Sequence, residues 1–556
     1  MICPQCQKQN REQAHYCKWC GSALSNDNTG PLADLVGMDK VKKQLMTLVA
    51  RYEEHQRRMK TTGVSQPFTA NIIISGEMGT GKTMLVEVIE KLFSQKGMTK
   101  HPATYILNSE EFDAFRNAKD FDANLAKAKG GILCIDAVHK LLPNGQDTNT
   151  TTLDRIFSGV QTWKGDPFVI LCGWSVVLDS YLKNNPNIRD RFDMVINLPG
   201  YTYEELTEIC SRRLMLTYGL GLSEDARQKL LRVVRQAKRD RLTDANGYYA
   251  KNLADTIALK HNSNATHQTS SFISPDEIDG KEYVEKTFEE AIKQMDKYIG
   301  VDKIKDNIRN LTTMMQMQSQ RDGSEIKCKD HFLFLGNPGT GKTTIARVFA
   351  DVMAAMGVLK VGQLIEVTRK DLVASFVGQT APMVEAAVNK AIGGILFVDE
   401  AYTLSQSEND TFGKEAIDTL LKLMEDRRGE FICIAAGYDH EMNEFLGTNS
   451  GLASRFNETI HFDDYTGEQL YDIFQMMMKG NKLTLNPDDE VWTRNYFKKM
   501  YLMRGAKFGN ARDVRNVLDK AKKRQAHRLL ELQKVDPQAA MQHNCIITKI
   551  DICDED

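Results

Sequence analysis

Two short segments of this sequence have the residue types and spacing needed to hold the phosphates of a nucleotide. GEMGTGKT covers residues 76–83, and GNPGTGKT covers residues 336–343. Both match GxxxxGK[ST], and each follows a short apolar run and precedes a helical pattern. In this arrangement, the backbone N–H groups of the loop and of the following helix N-terminus bind phosphate oxygens. One match could arise by chance, but two in the same context predict two nucleotide sites.

The loop residues have distinct predicted roles. Lys82 and Lys342 would neutralise the β- and γ-phosphates, and Thr83 and Thr343 would bind Mg²⁺. ATP with Mg²⁺ is therefore the expected ligand. The residues predicted to bind it are Gly76, Glu77, Met78, Gly79, Thr80, Gly81, Lys82 and Thr83 in the first copy, and Gly336, Asn337, Pro338, Gly339, Thr340, Gly341, Lys342, Thr343 and Thr344 in the second.

A carboxylate follows a later apolar strand in both copies, but a second carboxylate follows in only one. GGILCIDA ends with Asp136 and Ala137, whereas GGILFVDE ends with Asp399 and Glu400. A buried carboxylate is costly unless it meets a cation, so both aspartates are predicted to bind Mg²⁺. Glu400 can polarise the attacking water, and loss of such a base typically costs about 10²–10⁴ in rate. The first copy is expected to bind nucleotide and hydrolyse it poorly; His139 as a substitute base is the weaker alternative.

These motifs belong to an internal repeat that covers most of the chain. LVGMDKVKKQL (35–45) matches YIGVDKIKDNI (298–308), RDRF (189–192) matches ASRF (453–456), and YTYEEL (201–206) matches YTGEQL (465–470). Apolar runs alternate with helical patterns in each copy, which predicts a parallel sheet covered by helices on both faces. Thr202 with Glu205, and Thr466 with Gln469, predict capping boxes that open a helical second part.

The predicted fold class is therefore α/β, with two P-loop modules that each combine a parallel-sheet core and a helical lid. A small zinc ribbon precedes them. The predicted boundaries are a zinc ribbon at 1–22, a linker at 23–31, a first module at 32–262 with its core at 32–199 and its lid at 200–262, a linker at 263–294, a second module at 295–535 with its core at 295–463 and its lid at 464–535, and a C-terminal tail at 536–556.

The zinc ribbon is predicted from two CxxC pairs near the N-terminus. Cys3, Cys6, Cys17 and Cys20 can supply four thiolates to one tetrahedral Zn²⁺. So short a segment has no core of its own, and metal binding would supply its folding energy. The segment resembles short bacterial zinc ribbons that bind protein or nucleic acid, and the residues leave that choice open. Cys134, Cys172 and Cys433 lie in apolar runs and are expected to be reduced core thiols.

Composition limits the partners of the molecule. The net charge of the 556 residues is −2, so the chain is not built to coat nucleic acid or an anionic membrane. The longest apolar runs, such as FVILCGW at 168–174, are too short to span a bilayer. The N-terminus has no charged segment followed by an apolar one, so no secretory signal is predicted. The expected compartment is the cytoplasm.

Taken together, these residues resemble the AAA+ ATPases. The second copy is most similar to the branch that contains the red-type Rubisco activase CbbX, stage V sporulation protein K and the ATPase of type VII secretion. The segments that carry the resemblance are GNPGTGKTTIARVFA, FVGQT, GGILFVDEAYTL, LLKLMEDRRGE, GLASRF and FGNARDVRN. The first copy shares only the scaffold. The resemblance implies homo-hexameric rings, with nucleotide between subunits and a substrate protein chain in the central pore.

The resemblance also implies roles for individual residues. Arg455 corresponds to the arginine finger that reaches a neighbour's γ-phosphate, with Arg191 as its counterpart in the first copy. Arg512 corresponds to the lid arginine that senses the γ-phosphate, whereas Tyr248 stands near that place in the first copy. Phe376, Val377 and Gly378 correspond to the pore loop that grips a threaded chain.

One position departs from the family pattern. Many AAA+ proteins have a polar sensor, usually Asn, after the strand that FICIAAG represents here. Tyr438 occupies that region in the second copy and Trp174 in the first.

Three functions fit these observations. The leading interpretation is an ATP-driven remodeller of an unknown protein substrate, in which the second copy is the motor and the zinc ribbon an adaptor. A nucleotide-dependent assembly switch or scaffold that threads nothing is compatible with the incomplete first copy. A nucleic-acid remodeller recruited by the ribbon is possible, but the near-neutral charge does not favour it.

Overall fold

The computed structural model of the chain describes residues 30–64, 66–101, 103–107, 125–142, 150–263, 270–322, 326, 328–374, 378–405, 410–505 and 508–553. The chain forms two compact units: Met1–Val284 with Ser375–Asn389, and Glu285–Ala374 with Lys390–Asp556. The predicted zinc ribbon, with Cys3, Cys6, Cys17 and Cys20, lies outside the described residues. None of the helices in the described ranges has both the length and the hydropathy to span a bilayer.

The core of the first module is a five-stranded parallel sheet, as the alternating apolar runs predict. Its strands are β1 (Ile72–Gly76), β2 (Thr104–Leu107), β3 (Ile132–Ile135), β4 (Phe168–Gly173) and β5 (Met194–Leu198), in the order β2-β3-β4-β1-β5. Its helices are α1 (Asp39–Thr62), α2 (Lys82–Gln95), α3 (Thr150–Thr162), α4 (Ser175–Asn184) and α5 (Pro186–Arg189). Separate apolar clusters form on the two faces of the sheet, one around Ile72 and Phe93 and the other around Ile73 and Leu133.

The lid of the first module is helical, and the predicted capping box opens it. The Thr202 side chain accepts from the backbone N–H of Glu205, and the Glu205 side chain accepts from that of Thr202. The lid elements are α6 (Tyr203–Tyr218), β6 (Gly221–Leu222), α7 (Glu224–Arg239), α8 (Gly247–Ser263) and β7 (Phe272–Ile273).

The lid continues into the segment predicted as a linker at 263–294. Strand β7 pairs in parallel with β6, and Ile273 and Ile278 are fully buried in the lid cluster. His261 Nδ1 lies 2.7 Å from Glu277 Oε1, and both side chains are buried. Residues 270–278 of the predicted linker are thus part of the lid.

The core of the second module repeats the sheet of the first. Its strands are β8 (His331–Gly336), β9 (Leu364–Val367), β10 (Ile395–Val398), β11 (Ile432–Gly437) and β12 (Phe456–Phe462), in the order β12-β8-β11-β10-β9. Its helices are α9 (Phe288–Lys293), α10 (Asp302–Asp322), α11 (Lys342–Ala355), α12 (Arg369–Leu372), α13 (Thr380–Ala391), α14 (Thr411–Asp426), α15 (Asp439–Gly447) and α16 (Ser450–Arg455). In both sheets the P-loop strand lies between the fourth and fifth strands, where the strand order reverses and α/β sheets bind ligands.

The second lid also opens with its predicted capping box, formed by Thr466 and Gln469. Its elements are α17 (Gly467–Gly480), β13 (Thr484–Leu485), α18 (Glu490–Leu502), α19 (Ala511–Val535), α20 (Pro537–Gln542), β14 (Ile546–Ile547) and α21 (Lys549–Ile552). The predicted tail at 536–556 is wrong as a separate segment. Strand β14 pairs with β13, and Arg528 forms a two-bond ion pair with the buried carboxylate of Asp551.

Short 3₁₀ helices complete the described elements, at Pro31–Asp34, Val138–Lys140, Pro275–Glu277, Gln294–Lys297, Ala401–Ser405 and Pro487–Asp489. The strand cysteines are free and buried, as expected of core thiols: Cys134, Cys172 and Cys433. Burial raises the pKa of the Cys433 thiol, which keeps it protonated and unreactive.

Candidate nucleotide sites

The two P-loops have the same backbone conformation. Gly79 and Gly81 have φ of 72° and 89°, and Gly339 and Gly341 have φ of 72° and 94°. This left-handed region favours glycine, which explains these positions of the motif. Each loop ends at the N-terminus of a 14-residue helix, α2 or α11. The loop and the free N–H groups of the helix form the anion-binding arrangement that the sequence predicts.

The two P-loop lysines are held over their loops. Lys342 Nζ donates to the carbonyl oxygens of Gly336 at 2.7 Å and Asn337 at 2.9 Å. Lys82 Nζ donates to those of Gly76 at 2.9 Å and Glu77 at 2.7 Å. Burial lowers the pKa of both amines, and the charges of Asp399 and of Asp136 respectively oppose the shift. Each aspartate therefore lies near its P-loop lysine.

The residue after each aspartate has the same unusual backbone. Glu400 and Ala137 have φ of 49° and 55°, although neither is a glycine. The backbone N–H groups of Asp399 and Asp136 donate to the ends of β9 and β2, at Val367 and Leu107. A strained conformation of this kind is typical of functional sites. The first module keeps the backbone conformation of Glu400 at Ala137, but the alanine has no carboxylate.

The lids approach the P-loops closely, which brings a lid side chain to each site. A Cβ atom at Gly339 would lie 2.2 Å from the carbonyl oxygen of Gly509 and 3.2 Å from Arg512 Cβ. At the equivalent Gly79, it would lie 2.2 Å from the carbonyl oxygen of Ala245 and 3.0 Å from the Tyr248 ring. Tyr248 therefore occupies the place of Arg512, as the sequence comparison predicts, and supplies no cation there.

The structure brings most of the predicted catalytic residues of the second module together. Asp399 and Glu400 follow β10 at the same edge of the sheet as the P-loop that follows β8, and Arg512 lies beside Gly339. Burial lowers the pKa of Lys342, the charges of Asp399, Asp439 and Glu400 oppose this shift, and that of Arg512 adds to it. Thr343 follows Lys342 in the first turn of α11. Oxygen ligands such as the Asp399 carboxylate and the Thr343 hydroxyl suit Mg²⁺, which fits these residues when phosphates complete its coordination.

The tyrosine at the predicted sensor position lies in the same group. Tyr438 directly follows β11 and is the N-cap of α15. Its ring centroid is 5.7 Å from Lys342 Nζ. In the first module Trp174 follows β4 in the same way, as the N-cap of α4.

Arg455 lies at the opposite end of the sheet from its own P-loop. It immediately precedes Phe456, which pairs with His331 at the start of β8, whereas the P-loop begins after Gly336 at the end of that strand. These ends are about 16 Å apart at a rise of about 3.3 Å per residue. The guanidinium lies 3.8 Å from Glu425, and its buried Nε has no hydrogen-bond partner among the described residues. Arg455 is thus separate from the cluster around Lys342.

Its counterpart in the first module has the same placement. Arg191 precedes β5, whose first residue Met194 pairs with Ile72 at the start of β1. Its Nη1 donates to the carbonyl oxygen of Phe157 at 2.9 Å. The predicted pore-loop residues Phe376 and Val377 lie outside the described residues, and Gly378, which follows them, has φ of 81°.

The sequence analysis missed one asparagine in each module that joins the core to the lid. Asn510 Oδ1 accepts from the backbone N–H of Tyr465 at 2.9 Å, and its Nδ2 donates to the carbonyl oxygen of Pro338 in the P-loop at 3.3 Å. Asn246 makes the matching bonds to Tyr201 and Met78. The two asparagines stand at the same offset as the rest of the repeat, which was the signal available in the sequence.

Fold and site together define a tandem P-loop ATPase. Residues 72–200 and 332–464 match the ATPase family associated with various cellular activities (AAA), and residues 466–556 match the AAA lid domain. The chain belongs to the AAA ATPase family. The lid match extends to the end of the chain, in agreement with the packing of β14 and α21 on the second lid.

The relatives fall in the branch that the sequence resembles. The chain is 42% identical to stage V sporulation protein K of Bacillus subtilis over 43% of this chain and 76% of that protein. It is 38% identical to the chloroplastic ribulose bisphosphate carboxylase/oxygenase activase of Cyanidioschyzon merolae, over 45% of this chain and 86% of that protein. It is 37% identical to protein CbbX of Cereibacter sphaeroides, over 47% of this chain and 86% of that protein. Each match covers less than half of this chain.

Proposed function

We propose that this protein is an ATP-driven remodeller of other proteins, in which the second module hydrolyses ATP and the first binds nucleotide with little or no hydrolysis. One observation carries the proposal. Asp399 and Glu400 follow β10 at the edge of the sheet that carries the second P-loop, and Arg512 lies beside Gly339 of that loop. The first P-loop has Ala137 and Tyr248 in place of Glu400 and Arg512.

The residues of the second module divide the chemistry of hydrolysis. The P-loop and the N-terminus of α11 hold the phosphates, and Lys342 offsets their charge. Thr343 and Asp399 would hold Mg²⁺, which neutralises charge that develops on the phosphates. Glu400 accepts a proton from the attacking water. Arg512 enters from the lid, so its contact with the terminal phosphate links hydrolysis to lid movement.

Assembly into a ring gives Arg455 its role. The arginine lies at the far end of the sheet from its own P-loop, so it serves a site on another copy of the chain. A finger of this kind contributes about 10³–10⁵ in rate. We propose a homo-hexamer with ATP at each interface, in which Phe376, Val377 and Gly378 grip a substrate chain in the pore. The zinc ribbon formed by Cys3, Cys6, Cys17 and Cys20 is the proposed adaptor, and cytoplasm the proposed compartment.

The substrate is a protein whose identity the sequence does not give. One relative is named as an activase of the enzyme ribulose bisphosphate carboxylase/oxygenase, which supports a protein as the target. The near-neutral net charge of −2 gives no support to nucleic acid as the main substrate.

Substrate capture tests the proposal. Glu400→Gln should bind ATP, stall before hydrolysis and retain its target, which mass spectrometry of co-purified proteins would identify. Lys342→Ala is the matched control, because it cannot hold ATP and should retain nothing. Phe376→Ala alone should keep its ATPase activity, and Phe376→Ala combined with Glu400→Gln should lose the captured protein. If the unchanged protein hydrolyses ATP but the same proteins co-purify with all three variants, the protein would instead be an assembly switch.

A further inference from the structure

An arginine to which the proposed chemistry assigns no role reaches the turn that carries Glu400. Arg369 is the first residue of α12 and lies two positions after Val367, the last residue of β9. Its Nη1 donates to the carbonyl oxygen of Thr403 at 2.8 Å. Thr403 donates twice to the carbonyl oxygen of Glu400, from its backbone N–H at 2.9 Å and from its hydroxyl at 2.7 Å. Arg369 is therefore connected to the backbone of Glu400 through one residue.

The same guanidinium holds the start of α14. It pairs with Asp410 through two bonds, from Nη1 to Oδ2 at 2.5 Å and from Nη2 to Oδ1 at 3.1 Å. Asp410 is the N-cap of α14, and its Oδ1 accepts from the backbone N–H of Gly413 at 2.9 Å. A Cβ atom at Gly413 would lie 2.0 Å from the carbonyl oxygen of Leu404, so the helix start packs directly on the turn. The arginine, the turn and the helix start are thus bonded to one another.

This ion pair is shielded from water, unlike most pairs on a protein surface. The exposed fractions of the side chains are 27% for Arg369 and 10% for Asp410. A pair of parallel bonds between guanidinium and carboxylate fixes the orientation of both groups, and solvent screens a partly buried pair less than an exposed one. Removal of the guanidinium would take three hydrogen bonds away from Asp410 and the carbonyl of Thr403.

The segment from Asp399 to Thr403 is held at both ends by residues at the end of β9. At its start, the backbone N–H of Asp399 donates to the carbonyl oxygen of Val367 at 2.9 Å. At its far end, Arg369 bonds to the carbonyl of Thr403. Between these two points, Glu400 has a left-handed backbone with φ of 49°. A conformation of this kind persists where the surrounding structure fixes it.

The first module keeps the start of this arrangement but has a different residue in place of the arginine. The backbone N–H of Asp136 donates to the carbonyl oxygen of Leu107 at 3.0 Å, and Ala137 has φ of 55°. The left-handed backbone alone therefore does not require the arginine. Two positions after Leu107 the sequence has Ser109, which has no guanidinium. The arginine thus occurs in the module that has a carboxylate to orient.

We propose that Arg369 is a positioning residue of the second module, which fixes the turn from Glu400 to Thr403 against the start of α14 and so directs the Glu400 carboxylate at the attacking water. The inference rests on the proposed function of Glu400 and gives Arg369 no chemical step of its own. A general base must lie within hydrogen-bond reach of the proton that it accepts. A displacement of about 1 Å can cost about 10²-fold in rate, so a loosened turn should slow hydrolysis without weakening nucleotide binding.

The test removes the guanidinium from the full-length protein. Arg369→Gln should lower kcat for ATP about 10- to 100-fold, because Glu400 keeps its charge but loses its fixed direction. The Kd of the non-hydrolysable analogue AMP-PNP should stay within twofold, measured in a Lys82→Ala background so that only the second site is read. Arg369→Lys restores the charge without the paired geometry and should recover part of the lost kcat. Asp410→Asn keeps a cap for α14 and should lower kcat in the same direction.

A combined variant separates positioning of Glu400 from a general structural role. Arg369→Gln with Glu400→Gln should be no slower than Glu400→Gln alone, because no carboxylate is left to orient and residues that act as a unit are not additive. Arg347→Gln is the matched control, since Arg347 forms an exposed ion pair with Glu366 at 2.6 Å in the same core. It should change kcat less than twofold.

Three results would overturn the inference. They are a kcat of Arg369→Gln within twofold of the unchanged protein, a loss of AMP-PNP affinity as large as the loss of kcat, or a further tenfold loss of kcat in the combined variant relative to Glu400→Gln. Absence of any Glu400-dependent hydrolysis in the unchanged protein would instead refute the proposed function.

Discussion

Asn510 joins the second lid to its P-loop through both ends of one side-chain amide. Its Oδ1 accepts from Tyr465 and its Nδ2 donates to Pro338 and, at 2.7 Å, to Asp464. Asp464 also accepts from the P-loop residue Asn337 at 2.9 Å. In the first module the asparagine is kept as Asn246, but Gly200 stands where the second module has Asp464. The second module thus has a carboxylate at the junction of core and lid where the first module has a glycine.

The first prediction concerns this junction. Asn510→Ala leaves the backbone N–H of Tyr465 without its acceptor, and an unsatisfied buried donor costs about 1–3 kcal/mol. Hydrogen exchange at the peptide that contains Tyr465 should therefore accelerate at least several-fold, as measured by mass spectrometry. Asn246→Ala is the matched control and should accelerate exchange at Tyr201 alone. Unchanged protection at Tyr465 in Asn510→Ala would show that the amide does not hold the lid.

The second prediction concerns the division of labour between the modules. Glu400→Gln should lower steady-state ATP turnover about 10²–10⁴-fold, because the variant loses the carboxylate proposed to accept the proton of the attacking water. Lys342→Ala should also abolish most turnover. Ala137→Gln places the same side chain at the equivalent position of the first module and should leave turnover unchanged. Lys82→Ala should weaken assembly or regulation.

Steady-state phosphate release from purified variants measures these effects, and sedimentation reports the assembly. Turnover of Glu400→Gln close to that of the unchanged protein would disprove the assignment of the second module as the motor. A large loss in Ala137→Gln would show that the first module contributes directly to hydrolysis.

The third prediction concerns Arg455 and the proposed ring. The register of β12 on β8 puts this arginine at the end of the sheet remote from its own P-loop, so Arg455→Ala should bind ATP and hydrolyse it slowly. Turnover should rise more than linearly with protein concentration in the assembly range, and ATP should promote assembly. Mixing Arg455→Ala with Lys342→Ala should restore some activity, because an intact finger then faces an intact P-loop. If the protein stays monomeric in ATP and its specific activity is the same at all dilutions, the proposed ring and the proposed role of Arg455 would be wrong.

The fourth prediction concerns the four N-terminal cysteines. Cys3, Cys6, Cys17 and Cys20 should bind one Zn²⁺ per chain, since two CxxC pairs can complete a tetrahedral site. A truncated chain that starts at Pro31 should contain no zinc and should keep the thermal unfolding of both modules. Metal analysis of the two proteins measures this. Stoichiometric zinc in the truncated chain would mean that the ligands lie elsewhere.

The sequence predicts the local features of this protein well, because they depend on residues close together in the chain. The P-loop glycines, the capping boxes at Thr202 and Thr466, and the placement of Tyr248 all follow from spacing within one repeat. The sheet was predicted from apolar runs of four to seven residues that end at polar residues.

The ends of the lids were not predictable in this way. Strands β7 and β14 have two residues each, which is too short for a periodic pattern, and their partners begin 51 and 62 residues earlier in the chain. The polar residues near them, including Glu277 and Asp551, look like those of a linker or tail. They are buried because His261 and Arg528 reach them from the long lid helices, a pairing that only the folded chain reveals.

A buried histidine at the start of the second P-loop strand leads to the last prediction. His331 Nδ1 accepts from the backbone N–H of Cys433 on β11 at 3.0 Å, and the side chain is 3% exposed. In the first module, Asn71 Oδ1 accepts from Val169 in the same way at 2.9 Å. Burial lowers the pKa of His331 from 6.5 to about 4, with the charge of Asp330 in opposition. The imidazole is therefore neutral in the folded protein at pH values where the unfolded chain already binds a proton.

The second module should consequently lose stability as the pH falls below 6.5, by about 2 kcal/mol at pH 5 and about 3 kcal/mol below pH 4 from this residue. The sign follows because the folded state binds fewer protons than the unfolded state across this window, while above pH 7 the two states bind equally and no penalty exists.

His331→Asn keeps an acceptor for Cys433, as Asn71 does for Val169, and removes the titration. Between pH 7.5 and pH 5, the unfolding temperature of the second module should therefore fall about 4–8 °C less in His331→Asn than in the unchanged protein. Asn71→His, the reverse change, should give the first module the same acid sensitivity. Scanning calorimetry at the two pH values measures both shifts, and an equal fall in His331→Asn and the unchanged protein would show that other groups account for the acid response.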